Sequence, residues 1–451
     1  PDTVKPNQTM RTLIGLAILS LTACTFVQDR YPTLPPGPYR GVLELVYNPV
    51  VPNPKGAPTP ELQNLEFDEV TEGELPFTFE VEYLNDTSIQ IKLFNGDETI
   101  VVPAENIGYG RDISQSRDTL RIDFPVYDTH ISAYHEENVI EGVWVVHYKD
   151  NYRIPFVARY GQDHRFTVLD KEPAADLSGR WAVTFSTEDD PYPGLAEFEQ
   201  TGNELTGTFR TETGDYRYLA GTVQEDKAYL SVFDGSHAFL FEAIIKEDGS
   251  LSGSFRSGRH YITDWTATRA ADDYELANPD SLTSMVTEEP LDFSFQTSAG
   301  RSVSISDEAF DGKIKLVQIF GTWCPNCRDE TNFLRDWLAE YAYADQVAII
   351  GLGFERYGLD DPRSFAALDR YRQHMDVSWP LLLAGPSSKS AAADALPQMN
   401  HILSYPTLLF VDRDNRVRRI HTGFNGPATS KYQAFIEEFE ATMAELIGEE
   451  S

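Results

Sequence analysis

Two cysteines three residues apart, Cys324 and Cys327 in Gly321-Thr-Trp-Cys-Pro-Asn-Cys327, are the residues of this chain best placed to do chemistry. The apolar run 315–320 reads as a buried strand that breaks at Gly321, and Phe333, Leu334, Trp337 and Leu338 then recur on one helical face. Both thiols therefore fall on a strand-to-helix corner. There the helix macrodipole and the unpaired N–H groups of the first turn favour a thiolate, so Cys324 is expected to be exposed, acidic and nucleophilic, with Cys327 a turn inside as resolver. This is the arrangement for dithiol–disulfide exchange. Half of a zinc site is the competing reading, but structural zinc takes four ligands and the sequence offers no second Cys-x-x-Cys or close His pair, so no metal is expected.

The elements that carry this corner belong to a long, acidic chain. At 451 residues, two or three domains are the prior. Its 37 basic and 71 acidic side chains give a formal net charge of −34, which repels phosphate backbones and excludes nucleic acid as a natural partner. The acidity is spread along the chain rather than gathered in a tail, as a soluble, self-repelling surface requires.

The third cysteine has a different setting. Residues 10–24 run from a short charged start at Met10 and Arg11 through an apolar stretch to small residues, the pattern of an export signal and too short for a spanning helix. Leu21-Thr-Ala-Cys24 resembles the lipobox of bacterial lipoproteins, which implies a lipid anchor on Cys24 and a place in the cell envelope, periplasm-facing or at the outer membrane. Residues 1–24 are thus read as upstream residues plus a lipoprotein signal, and 25–38, with Pro32, Pro35, Pro36 and Pro38, as a stiff tether.

From 39 to about 269 the segments alternate polar and apolar residues with many β-branched and aromatic side chains, separated by turn pairs such as Asn95-Gly96 and Asp248-Gly249. This predicts antiparallel β structure. A repeat is visible within it: Phe124-Pro-Val-Tyr-Asp-Thr-His130 and Ile140-Glu-Gly-Val-Trp144 are matched by Val232-Phe-Asp-Gly-Ser-His237 and Leu251-Ser-Gly-Ser-Phe255. Two similar β units, 39–170 and 176–270, each a barrel or a sandwich, are expected. The recurring His130 and His237 suit either a site or turn-stabilising hydrogen bonds. Residues 271–290 are acidic and aperiodic and read as a linker. From 291 to 448 strands and helices alternate, as in an α/β domain.

This last segment resembles the membrane-associated thioredoxin-like proteins of the TlpA/ResA type, on Gly321-Thr-Trp-Cys-Pro-Asn-Cys327, on Glu330 and on Ser404-Tyr-Pro-Thr407. The resemblance implies a multidomain protein, an all-β region followed by an α/β thioredoxin-like domain, that acts as a thiol–disulfide oxidoreductase with no cofactor beyond the Cys324–Cys327 disulfide. It implies a cis Pro406 facing the disulfide, with Trp323, Tyr405 and Pro406 meeting the substrate chain. It also implies protein disulfides as substrates and a membrane thiol-transfer protein as electron donor. Thioredoxins carry a buried Asp six residues before the first cysteine; Gln318 stands there instead, so proton handling passes to Glu330 in the TlpA/ResA pattern, unless Glu330 is a solvated helix residue. Leu75-Pro-Phe-Thr-Phe-Glu-Val81, Tyr152-Arg-Ile-Pro-Phe156 and His421-Thr-Gly-Phe-Asn-Gly-Pro427 resemble exported TlpA-type lipoproteins of Bacteroidetes. The alternatives are a binding lipoprotein with a redox-sensing domain, or a thiol peroxidase. Against the latter, peroxiredoxins place their cysteine in a Thr-x-x-Cys loop, whereas this corner reads Thr322-Trp-Cys324 with a resolving partner three residues on.

Overall fold

The computed structural model describes residues 33–46, 70–149, 152–187 and 190–449. Cys24 and the export signal lie outside them.

The first unit is a nine-stranded antiparallel sheet. Strict alternation builds it: in the strand Ser88–Asn95 every second residue, Ile89, Ile91, Leu93 and Asn95, is buried, and in Glu74–Asn85 the same face carries Phe77, Phe79 and Val81. The second unit closes on itself. Its strands run from Gly179–Ser186 round to Glu204–Thr211, and Tyr192–Thr201 pairs with both neighbours to complete an eight-stranded barrel. An aromatic core fills it, with Phe209 and Phe255 stacked on either side of Phe241 at centroid distances of 4.2 and 4.4 Å.

The repeat read in the sequence is present as two four-strand meanders, 117–160 and 227–269. Gly142 and Gly253 occupy matching third strands, and a Cβ on either would lie about 2 Å from a backbone carbonyl oxygen of the preceding strand, that of Ser132 or of Glu242. Glycine is what lets those backbones approach so closely. The expectation of two alike units is corrected one level up, since one sheet closes and the other stays open. The open sheet is covered by the barrel instead. Phe233, from the barrel strand Lys227–Phe233, packs against Phe77, Phe124 and Trp144 at 4.7–5.7 Å, and the Asn95 amide donates to the Phe233 carbonyl (2.9 Å). Burying these rings removes apolar surface that an isolated open sheet leaves in water.

The third unit is a seven-stranded mixed sheet whose central strand, Ile314–Phe320, is buried along its whole length. Its even-numbered residues Ile314, Leu316 and Phe320 face helices α1 (Pro325–Glu340), α2 (Pro362–Met375) and α4 (Tyr432–Gly448). Its odd-numbered residues Val317 and Ile319 face α3 (Lys389–Ala395) and the segment 291–310. Within the proposed tether, the described residues from Thr33 are packed, with Leu34 in the core of the open sheet and Tyr39 donating to the Pro35 carbonyl. The segment read as a linker is likewise tied down, with Asp280 bonded to Arg419 and His421 and Thr422 donating to Thr283.

The open sheet and the barrel share core residues, whereas the core around α1 takes, among the described residues, only Val126 from the β region. Residues 33–269 expressed alone are therefore expected to fold as one cooperative body. A fragment without a β-type circular dichroism spectrum and a single melting transition overturns that expectation.

Candidate active site

Cys324 and Cys327 are disulfide-bonded, with Cα atoms 5.2 Å apart. Cys324 is the N-cap of α1 and Pro325 its first residue, a position where the missing proline N–H costs nothing. The Cys327 N–H points at Cys324 Sγ (3.2 Å), so the helix start supplies a donor to whichever charge develops on that sulfur. The Tyr405–Pro406 bond is cis, and the Tyr405 carbonyl oxygen lies 3.5 Å from Cys324 Sγ. Trp323 stands edge-on to Tyr405 at 5.6 Å. The structure thus brings Trp323, Cys324, Cys327, Tyr405 and Pro406 together.

Glu330 is not on the helix surface. It is buried, and Gln318 explains why: as an even-numbered residue of the central strand it points at α1, donating its amide N–H to Glu330 Oε2 (2.9 Å) and to the Cys327 carbonyl (3.3 Å). Gln318 in turn accepts from Thr331 (3.0 Å), whose hydroxyl accepts from Tyr371 (2.8 Å). Burial pushes the Glu330 carboxyl up to about 8, with the Gln318 bond opposing, and Oε1 has no hydrogen-bond partner among the described residues. That value sits near an ordinary thiol, so a proton can pass between such groups with little driving force either way.

A second buried acid was not anticipated. Glu355, at the end of the strand Val347–Glu355, accepts the N–H (3.0 Å) and hydroxyl (2.8 Å) of Thr322, and burial pushes it up to about 7. With the Trp323 indole donating to the Phe354 carbonyl (2.9 Å), it fixes the loop that presents Cys324. Its only sequence signal is a Glu closing an apolar strand, which is indistinguishable from a solvated end.

One expectation is corrected. Cys324 is only 7% exposed, against 0% for Cys327, because the β units cover the corner. Ser236 donates to the Trp323 carbonyl (3.0 Å), Asn326 to the Asp215 carbonyl (3.1 Å) and Ser404 to the Thr213 carbonyl (2.7 Å). The matching turn of the other meander also docks here: Asp128 accepts from Tyr357 (2.7 Å) and pairs with Arg370 (3.3 Å). His130 and His237 make different contacts and do not share a site. His130 lies 2.8 Å from His147, while the His237 backbone N–H closes the turn on Asp234. The run 412–416 is a hairpin turn capped by the Asp412 carboxylate.

These features define a thioredoxin-like redox domain, and comparison with known proteins agrees. The Redoxin family model matches residues 286–436. Thioredoxin-like protein YneN of Bacillus subtilis (strain 168) is 30% identical over 132 residues, 29% of this chain and 68% of that protein. Among solved structures, a thiol-disulfide oxidoreductase from Bacteroides fragilis NCTC 9343 is 19% identical with a TM-score of 0.25, covering 34% of this chain and 99% of its own. A DsbF homologue from Corynebacterium diphtheriae is 18% identical with a TM-score of 0.28, covering 37% and 98%. The chain belongs to the thioredoxin-like family and is a thiol–disulfide oxidoreductase.

Proposed function

We propose that this oxidoreductase is an exported, lipid-anchored reductase of protein disulfides. The observation that carries the mechanism is the asymmetry of the pair, a Cys324 sulfur at the helix start beside Tyr405 and Pro406 and a fully buried Cys327 behind it. In the reduced enzyme the Cys324 thiolate attacks a client disulfide, forming a mixed disulfide and releasing one client thiolate. Cys327, deprotonated, then attacks Cys324 Sγ; the second client thiolate leaves and takes up a proton, and the enzyme disulfide holds the oxidation equivalent. The first client thiolate is protonated from solvent, which had received the Cys324 proton, so that two electrons and, in net, two protons have passed from the dithiol to the client. A membrane thiol-transfer protein returns the enzyme to the dithiol.

Glu330 is the proton carrier in this reading, since it follows Cys327 by three residues on the same face of α1 and keeps one oxygen unpartnered. Glu330→Gln keeps an acceptor for Gln318 but cannot exchange a proton, so turnover of a model disulfide is expected to fall roughly 100-fold. Without a carboxylate to repel the thiolates, the midpoint of the alkylation-rate profile moves down in pH. Stability supplies a separate readout. The folded value of Glu330 lies above the ordinary 4.5, so its contribution is complete below 4.5 and is lost as pH rises through about 8. Glu330→Gln therefore flattens the fall in denaturant midpoint between those limits, leaving the slope due to the other carboxyls that burial raises, Glu355 and Asp215 among them. Unchanged turnover and alkylation profiles would remove Glu330 from the chemistry.

The anchor rests on Cys24 and the apolar stretch before it. No helix among the described residues is long and apolar enough to cross a membrane. Cys24→Ser is expected to move the protein from the detergent phase to the aqueous phase; equal partitioning of variant and wild type refutes the anchor.

A further inference from the structure

Where the barrel, the open sheet and the redox corner meet lies a cavity of about 360 Å³. That is within the range of small-molecule sites. Tyr192, Tyr216, Phe239 and Phe255 form its barrel wall, while Trp144, Tyr148 and Tyr152 come from the open sheet and Trp323 from the redox corner. Among the described residues the charges that reach it have one sign. Lys149 and Arg356 line it together with His237 and with His260, which burial and the neighbouring cations pull down to about 4 so that it is neutral at pH 7, and no described Asp or Glu does, in a chain with 71 acidic side chains against 37 basic. Asp234 lies behind the lining, 3.6 Å from His237, and is engaged by the Ser236 and His237 backbone N–H groups.

Among the described residues neither Lys149 nor Arg356 is in an ion pair, and the nearest acid acting on Arg356 is its chain neighbour Glu355, whose carboxyl is turned to Thr322. Lys149 Nζ sits 3.1 Å from His260 Nε2 and 4.7 Å above the Tyr152 ring, and Arg356 stacks 3.7 Å above Trp323. Burial, with Arg356 nearby, pulls Lys149 down to about 8, so it remains charged at neutral pH and is short of a counter-ion. A polar group is also left over inside: Trp144 is 2% exposed and its indole N–H has no acceptor among the described residues. Aromatic walls, an uncompensated cationic rim and an orphan donor have one common complement.

We propose that this cavity binds a small organic anion, an aromatic or otherwise flat apolar body carrying a carboxylate, with the body between the rings and the carboxylate on Lys149 and Arg356. The inference goes beyond the exchange chemistry and does not depend on it, since no lining residue is a cysteine. It is tested on the full chain at pH 7 by fluorescence titration with 2-naphthoate and with its neutral isostere 2-naphthamide. One saturable site is expected, with 2-naphthoate bound at least tenfold tighter than the amide. Lys149→Glu should lose that tenfold for 2-naphthoate and leave the amide within twofold. Ser257→Phe, which fills the cavity without changing charge, should abolish binding of both, and it keeps the test decisive if Lys149→Glu does not fold. Equal affinity for the two probes, no saturable binding, or full binding by Ser257→Phe overturns the proposal.

Discussion

Cys327→Ala should accumulate mixed disulfides with client proteins, and Cys324→Ala should accumulate none. The reason is positional. Cys324 caps α1, where the N–H groups of the first turn and the helix dipole lower the free energy of a thiolate, and its sulfur lies 3.5 Å from the Tyr405 carbonyl oxygen. Cys327 is inside the helix, 0% exposed, with Gln318 and Tyr371 on its own carbonyl, so it meets only a sulfur already joined to Cys324. Either substitution stops the catalytic cycle, and turnover should drop below roughly a hundredth of wild type. Only Cys327→Ala stalls after the first bond has formed. Non-reducing electrophoresis of each variant with envelope extract reads the difference directly. Equal trapping by both variants, or trapping by Cys324→Ala alone, would reverse the roles.

The largest effect on stability is expected at Arg217, far from either cysteine in sequence. Its guanidinium, 1% exposed, joins all three units: Glu98 of the open sheet (2.5 Å), Asp234 of the barrel (3.7 Å) and Asp329 of α1. Burial opposes the Arg217 charge, and Glu98 and Asp234 more than offset it, so its affinity for the proton is raised. Asp234, also opposed by burial, is held down to about 2 by His237 and Arg217. Arg217→Met fills most of the volume but leaves three carboxylates facing one another away from water. Removing one partner of a buried ion pair costs about 3–5 kcal/mol, and that range is expected for denaturant unfolding at pH 7. The pH dependence follows from the signs. In the wild type Asp234 stabilises above the ordinary carboxylate range and loses that contribution as pH falls through about 2. In Arg217→Met the same carboxylates favour their protonated forms, so the variant gains relative stability on acidification and the gap narrows between pH 7 and pH 4. A loss under 1 kcal/mol, or a gap independent of pH, would show that the cluster is solvated and does not couple the units.

How much of this was legible follows from which interactions are local. The strand before Gly321, the helix after it and the thiols at their junction are set by an apolar run, a glycine and a 3.6-residue period, all within about twenty-five residues, and the folded chain places them as read. The alternation in Ser88–Asn95 and the matched glycines Gly142 and Gly253 were legible for the same reason, since period two and close approach are properties of neighbouring strands. Glu330 was legible by its spacing from Cys327, but its protonation was not. That depends on Gln318 reaching it across the strand–helix layer and on the exclusion of water, neither of which spacing encodes.

Closure was decided by tertiary structure alone. One meander joins an eight-stranded ring because Tyr192–Thr201 finds partners on both sides, while the other stays open and accepts Phe233 from its neighbour; both outcomes turn on pairings between residues far apart in the chain. The same holds for Arg217, Asp234 and Glu355. In a chain with acidic residues spread along its length, a buried charge looks like any solvated one until packing removes the water around it. Thus the sequence by itself determined where the Cys324–Cys327 pair sits, at the junction of a buried strand and a helix start, because strand, break and helix are set by neighbouring residues. The tertiary structure decided what surrounds that pair, a covered corner, two buried acids and a cationic aromatic cavity, because desolvation and charge pairing exist only once distant segments meet.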